Sequence, residues 1–185
     1  ANSIIGRAIV IHSEPDDCIR NAFGDMLAKG VIGVMENTQA SLNETGTATH
    51  LVVNMISMPG STLDIQGKFW IRVSELPEYV EVWAEVHGMP MPSGSESWHG
   101  IHIREYGDLT NHDASSAGVH WNWNATQHAL PHSVSHHSGD LGNIRNIGGF
   151  AKMYADYDST RVGIGGDNSI IGRLLVLSEG EDMGE

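Results

Sequence analysis

The chain has 185 residues, with 10 lysines and arginines against 23 aspartates and glutamates, for a formal net charge of -13. That length accommodates one ordinary hydrophobic core and is short for two, and the charge excludes nucleic acids and anionic membranes as partners by repulsion. The single cysteine, Cys18, rules out an internal disulfide, and there is no apolar run of about 18 residues to cross a bilayer as a helix.

The first element in chain order is a duplicate. Residues 2–17, NSIIGRAIVIHSEPDD, return at 168–182 as NSIIGRLLVLSEGED, an internal repeat. In each copy a Gly-Arg pair precedes an apolar run, Ala8 to Ile11 in one and Leu174 to Leu177 in the other, which predicts one buried strand apiece. A barrel has one slot per strand, so the two copies compete for it. Gly30 to Met35, GVIGVM, predicts the next strand. Further strands are expected at Leu51 to Ile56, Leu63 to Val73, Tyr79 to Val86, Ile101 to Glu105 and Ala151 to Tyr157, punctuated by Gly and Pro. The tally points to an all-β fold, an eight-stranded Greek-key β-barrel. Two Asn-x-Thr triplets, at Asn43 and Asn124, are glycan acceptors if the chain is secreted.

Asp108 to Gly149 lacks sustained periodicity and is too long for an ordinary connection, which predicts a functional loop. It carries His120, His128, His137 and Asp140. Three imidazoles and a carboxylate make one complete tetrahedral zinc shell, and a bound ion would order a loop that apolar burial does not. Just ahead, in Ile101-His102-Ile103-Arg104, the strand period of two sets His102 and Arg104 on one face and both isoleucines toward the core.

Four strings stand in one order: HGIHIREYGD at 99–108, SAGVHWN at 116–122, HHSGDLGNI at 136–144 and GDNSIIGR at 166–173. In that order they resemble the copper/zinc superoxide dismutase family over nearly the whole chain. One displacement stands out: the segment that closes the family's sequence, from the IIGR strand through GVIG, is at the N-terminus, and the IIGR strand then recurs at the end. The resemblance implies a barrel of superoxide dismutase type, with zinc held in a long loop beside a copper site on the barrel wall. His120 falls on the histidine that bridges both metals, and His128, His137 and Asp140 follow at the family's spacings of eight, nine and three.

At the copper positions the resemblance is incomplete. His102 matches, but the second outward position is Arg104, whose guanidinium has no lone pair for a metal and repels a cation. The last copper histidine is His12 in the first IIGR copy and Ser178 in the second. The residual copper positions are therefore His102, Arg104 and His12, with His120 as the bridge. The family's substrate-guiding arginine aligns with Met26, and its loop-bracing half-cystines align with Ala114 and Lys29. A carboxylate that ties the zinc side to the copper side falls on Asp16 or Asp182, depending on the copy, and His99 matches a structural histidine of the family.

These correspondences lead to the expectation of zinc as cofactor without copper, and of lost dismutase activity. The alternative is an active enzyme with copper held by His12, His102 and His120. Within the family, the pattern is similar to the dismutase-derived plasma proteins of bivalve molluscs, which implies a secreted haemolymph protein that binds divalent cations and self-assembles into oligomers or polymers. Residues 1–38 form the duplicating segment in this organisation, available for strand exchange or as an added strand, and residues 39–185 form the barrel.

Overall fold

The computed structural model describes residues 26–34, 49–90 and 94–184. Eight strands form: β1 Met26–Val34, β2 His50–Ser57, β3 Gln66–Val73, β4 Tyr79–His87, β5 Glu96–Ile103, β6 Asp140–Ile147, β7 Phe150–Asp158 and β8 Leu174–Ser178. They close into one antiparallel barrel in the order β1-β2-β3-β4-β7-β6-β5-β8. The β4 to β5 and β7 to β8 connections each pass over two strands, as in a Greek key.

Alternation builds the core. Leu51, Val53 and Met55 on β2, Phe69 and Ile71 on β3, Val82 and Val86 on β4, and Ile101 and Ile103 on β5 all point inward and are buried. Burying each such side chain contributes roughly 1.5–3 kcal/mol. The closed barrel also leaves no free sheet edge among the described strands.

The contested slot between β1 and β5 holds the second copy of the repeat: β8 pairs with β1 through Lys29↔Val176 and with β5 through Ile101↔Leu177. The first copy, with Ala8 to Ile11, His12 and Asp16, lies outside the described residues. β1 belongs to the stretch that the sequence assigns to the 1–38 segment, and in the structure it is barrel wall between β2 and β8.

The long region 108–149 is not loop throughout, because β6 occupies Asp140–Ile147 within it. Its pattern escapes a period-two reading: Asp140 and Asn146 are buried polar residues, and Gly142 interrupts the apolar positions. The rest of the region does run as loop, around a single 3-10 turn at Ser115–Ala117. Ala114 and Ala117 are buried there in a small cluster with Met58, Leu174 and Val176. Apolar burial thus anchors the loop at Ala114, where the family resemblance would place a half-cystine.

Candidate metal centre

The centre forms where β5, the loop and the start of β6 meet. His102 on β5 is the cross-strand partner of Asp140 on β6, at a bulge where the register shifts. His120 joins β5 through an isolated bridge to Arg104, and the Trp121 amide donates to the Ile103 carbonyl at 2.7 Å. Gly139 closes this junction, its amide donating to the Trp121 carbonyl and its carbonyl accepting from the Ile103 amide. A Cβ at Gly139 would lie 2.4 Å from the Ile103 oxygen, so the approach of three chain segments requires glycine here.

Asp140 is fully buried and is the hub. His120 Nδ1 donates to its Oδ1 at 3.0 Å, His128 Nδ1 lies 2.9 Å from its Oδ2 and His137 Nδ1 lies 3.5 Å from its Oδ1. The Asp140 carboxylate also accepts from the amides of His137 at 2.9 Å and Ala129 at 3.3 Å. One donor atom each of His102, His120, His128 and Asp140 lies within 4.8 Å of the others. This donor set shares His120, His128 and Asp140 with the expected zinc residues but holds His102 in place of His137, whose Nδ1 stands 3.5 Å from Asp140 Oδ1.

A second carboxylate sits behind the rings. Asp182 accepts from His102 Nε2 at 3.1 Å through Oδ2, and from His128 Nε2 at 2.9 Å through Oδ1. Asn143 holds Asp182 in place with two main-chain hydrogen bonds, of 2.9 and 2.7 Å. Gly100 lets the pair approach β5, since a Cβ there would be 3.0 Å from His102 Cε1 and 3.1 Å from Asp182 Cβ. Burial raises the Asp182 carboxyl pKa, but the hydrogen bonds from His102 and the Gly184 amide outweigh it and hold the group well below the usual carboxylate range.

This arrangement divides the roles of the His128 nitrogens. A carboxylate only accepts, so His128 Nε2 carries a proton toward Asp182, and Nδ1 is the atom that would face a metal. That Nδ1 is buried, has no hydrogen-bond partner among the described residues, and stands 2.9 Å from a carboxylate oxygen. His137 Nδ1 is likewise buried without a hydrogen bond. Buried ring nitrogens without hydrogen bonds beside a carboxylate are what a cation among them would satisfy, and a donor set of imidazole nitrogens with one carboxylate suits a transition metal such as zinc or copper.

Burial pushes the His120 pKa down to about 4, against the opposing hydrogen bond to Asp140, so the ring is neutral at neutral pH. Burial also lowers His137. For Asp140 burial acts upward, but the hydrogen bonds from His120 and the Ala129 amide prevail and its pKa is lowered. The unfolded chain therefore binds a proton at His120 below about 6.5 while the folded chain does not until about 4. Stability from this group is present above 6.5 and lost as pH falls across that window. Metal-stripped protein is expected to show a falling urea midpoint from pH 7 to 4.5, whereas an unchanged midpoint would contradict the burial of His120.

The copper positions fare differently. His102 stacks on His120 with ring centroids 4.1 Å apart. Arg104 donates Nη1 to the Gly118 carbonyl at 3.1 Å, and its Nε is buried without a hydrogen-bond partner among the described residues. A guanidinium beside two imidazoles is a poor neighbour for a copper ion, while His102 and His120 are themselves donors that copper could take. The strand end nearby carries Ser178, whose carbonyl accepts from His99 Nδ1 at 3.1 Å, while Ser97 Oγ contacts His99 Nε2 at 2.8 Å. His12 and Asp16 lie outside the described residues.

Sequence reading missed two supports. Asn143 lies inside a recognised string but shows no chemistry by its type alone. Arg161 donates from Nη1 to the His136 carbonyl and from Nη2 to the Val134 carbonyl, each at 2.9 Å, and so pins the loop just before His137. Backbone acceptors leave no trace in a sequence, so this clamp had no signal.

The family model for copper/zinc superoxide dismutase matches residues 65–185. The copper chaperone for superoxide dismutase of Mus musculus is 41% identical over 85 residues, covering 45% of this chain and 29% of the relative. Extracellular superoxide dismutase [Cu-Zn] 3 of Dictyostelium discoideum is 29% identical over 161 residues, covering 78% of this chain and 38% of the relative. The chain thus spans well under half the length of these two curated relatives. Among solved structures, the clock protein EA4 aligns with a TM-score of 0.56 at 23% identity, over 89% of this chain and 82% of that one, a likeness of fold.

Proposed function

This chain belongs to the copper/zinc superoxide dismutase family, and from that premise we propose that it is a zinc-holding, non-catalytic member, secreted and self-assembling. The observation that carries the reading is the pair of buried Nδ1 atoms, of His128 and His137, left without hydrogen bonds around the Asp140 carboxylate. Zinc, when bound, supplies the positive charge these donors lack and orders the loop. His120, His128, His137 and Asp140 would hold it. Asp182 orients His128 and His102 from behind, and Arg104 keeps a fixed cation on the copper side.

Three supports bear on the wider setting. A relative in Dictyostelium discoideum is named extracellular, the chain carries acceptor triplets at Asn43 and Asn124, and the pattern is similar to the bivalve plasma proteins pernin and cavortin. For assembly, the first copy of the repeat has the sequence of a barrel strand while β8 fills the slot between β1 and β5. Exchange of that spare strand between molecules gives rings if it closes and polymers if it does not. A second reading, an active dismutase with copper on His12, His102 and His120, draws on the closeness of His102 to His120.

Elemental analysis of purified protein, with a dismutase assay after copper loading, tests the first reading: zinc at about one equivalent and no activity are expected. One equivalent of copper with activity would overturn it in favour of the second. Light scattering before and after removal of residues 1–20 tests strand exchange, with smaller particles expected after removal.

A further inference from the structure

One main-chain oxygen ties the metal loop to the barrel. The His136 carbonyl accepts from Arg161 Nη1 at 2.9 Å and from the Thr126 hydroxyl, while Arg161 Nη2 reaches the Val134 carbonyl at 2.9 Å. Thr126 is in turn held by Asn122, whose Oδ1 accepts from the Thr126 amide at 3.0 Å and whose Nδ2 donates to the Thr126 carbonyl at 2.8 Å. The turn between His120 and His128 and the stretch that ends in His137 therefore meet at the same acceptor.

The base of this clamp is anchored in the barrel. Arg161 stands in the turn after β7, where its amide and that of Val162 donate to the Asp158 carbonyl at 3.0 Å. Asp158 Oδ1 accepts from the amide and hydroxyl of Thr160 at 2.8 and 2.7 Å, the Ser159 amide donates to the Glu78 carbonyl at 2.9 Å, and Val162 and Ile164 are buried in the core. The segment it grips has no such footing. Among the described residues no apolar side chain between Trp121 and Leu141 is buried, and Val134 is 93% exposed.

A guanidinium gives charge-assisted hydrogen bonds, about twice as strong as neutral ones, and its planar fork reaches two carbonyls with little loss of freedom per bond. His137 depends on that grip most. His128 contacts both Asp140 and Asp182, whereas the His137 ring is not among the donors that lie within 4.8 Å of one another. Its backbone is fixed by its own amide on Asp140 Oδ2 at 2.9 Å and by the clamp one residue earlier.

We propose that Arg161 is a positioning residue for the metal centre: from the connection between β7 and β8 it fixes the segment carrying His137, and so governs how firmly the centre keeps an ion. The inference rests on the metal-holding reading and adds to it a residue outside the ligand loop that sets the rate of metal release.

The test compares Arg161→Ala, Arg161→Lys and Thr126→Val with wild type, each loaded with zinc and, separately, with cobalt(II), whose visible absorption reports the geometry of its donors. Loss of a partner behind a ligand costs a metal site about 10- to 100-fold in affinity, so zinc release to a chelator should be about tenfold faster in Arg161→Ala, with an altered cobalt spectrum. Arg161→Lys keeps the charge without the fork and should fall between Arg161→Ala and wild type. Thr126→Val frees the same oxygen from the other side and should also speed release. The urea midpoint of the metal-free proteins should stay at the wild-type value, because residues 134–136 add no side chain to the core cluster. Wild-type release and an unchanged cobalt spectrum in Arg161→Ala would overturn the proposal. So would faster release accompanied by a matching loss of metal-free stability, the mark of a merely structural part. A wild type that takes up neither metal would sink the metal-holding reading itself, and this inference with it.

Discussion

Replacing Asp140 with asparagine is expected to empty the metal centre. The side chain keeps its volume but loses the charge that faces three Nδ1 atoms, at 3.0, 2.9 and 3.5 Å. It also offers an amide where two amides and an imidazole now donate. Loss of outer partners alone costs metal sites about 10- to 100-fold in affinity, and a direct ligand should cost at least about 100-fold. Because a ligand held at 100 to 1,000 times its Kd stabilises by about 3–4 kcal/mol, the thermal midpoint should fall by roughly 10 °C. Calorimetry with and without chelator checks this. Wild type should shift down on chelation and Asp140→Asn should not, and a variant that keeps both zinc and the shift would contradict the hub role.

Replacing Arg104 with histidine should open the neighbouring position to copper. The new imidazole would share a face with His102 and sit on the strand position bridged to His120. A donor would then replace a fixed cation. Near a protein surface a unit charge a few ångströms away weighs about 4 kcal/mol, so copper affinity should rise by about 100-fold or more. Arg104→Gln separates the two effects, removing the charge without adding a donor, and should gain less. Competition titration and the visible copper absorption report both. If neither variant binds copper better than wild type, Arg104 is not what keeps copper out.

Much of the barrel is legible in the sequence because a half-buried strand must alternate, and β2, β4 and β7 do. β6 is not legible, because its inward polar residues do structural duty. Asn146 donates to the Pro90 carbonyl at 2.7 Å and contacts Ser97 Oγ at 2.9 Å, and it receives the Gly149 amide at 3.0 Å. A residue so used has the composition of a loop and the burial of a core. The expected count of eight strands therefore included the Ala8 to Ile11 copy, whereas the eight described strands include β6 instead.

The metal centre divides along the same line. His120, His128, His137 and Asp140 are visible as donors at fixed intervals, because metal ligation restricts residue type. The choice between Asp16 and Asp182 depended on which repeat copy entered the barrel. With β8 in the slot, the chain leads on to Asp182, which reaches both His102 and His128. Gly100 and Gly139 are present in the quoted strings, but their need to lack a Cβ follows only from the close approach of neighbouring segments.

Anomalous diffraction at the zinc absorption edge, on crystals of protein purified without added metal, tests the central claim most directly. A single zinc peak enclosed by His120, His128, His137 and Asp140, with no copper signal beside Arg104, is the predicted result. An empty cage with a copper peak bound by His102 and His120 would contradict it.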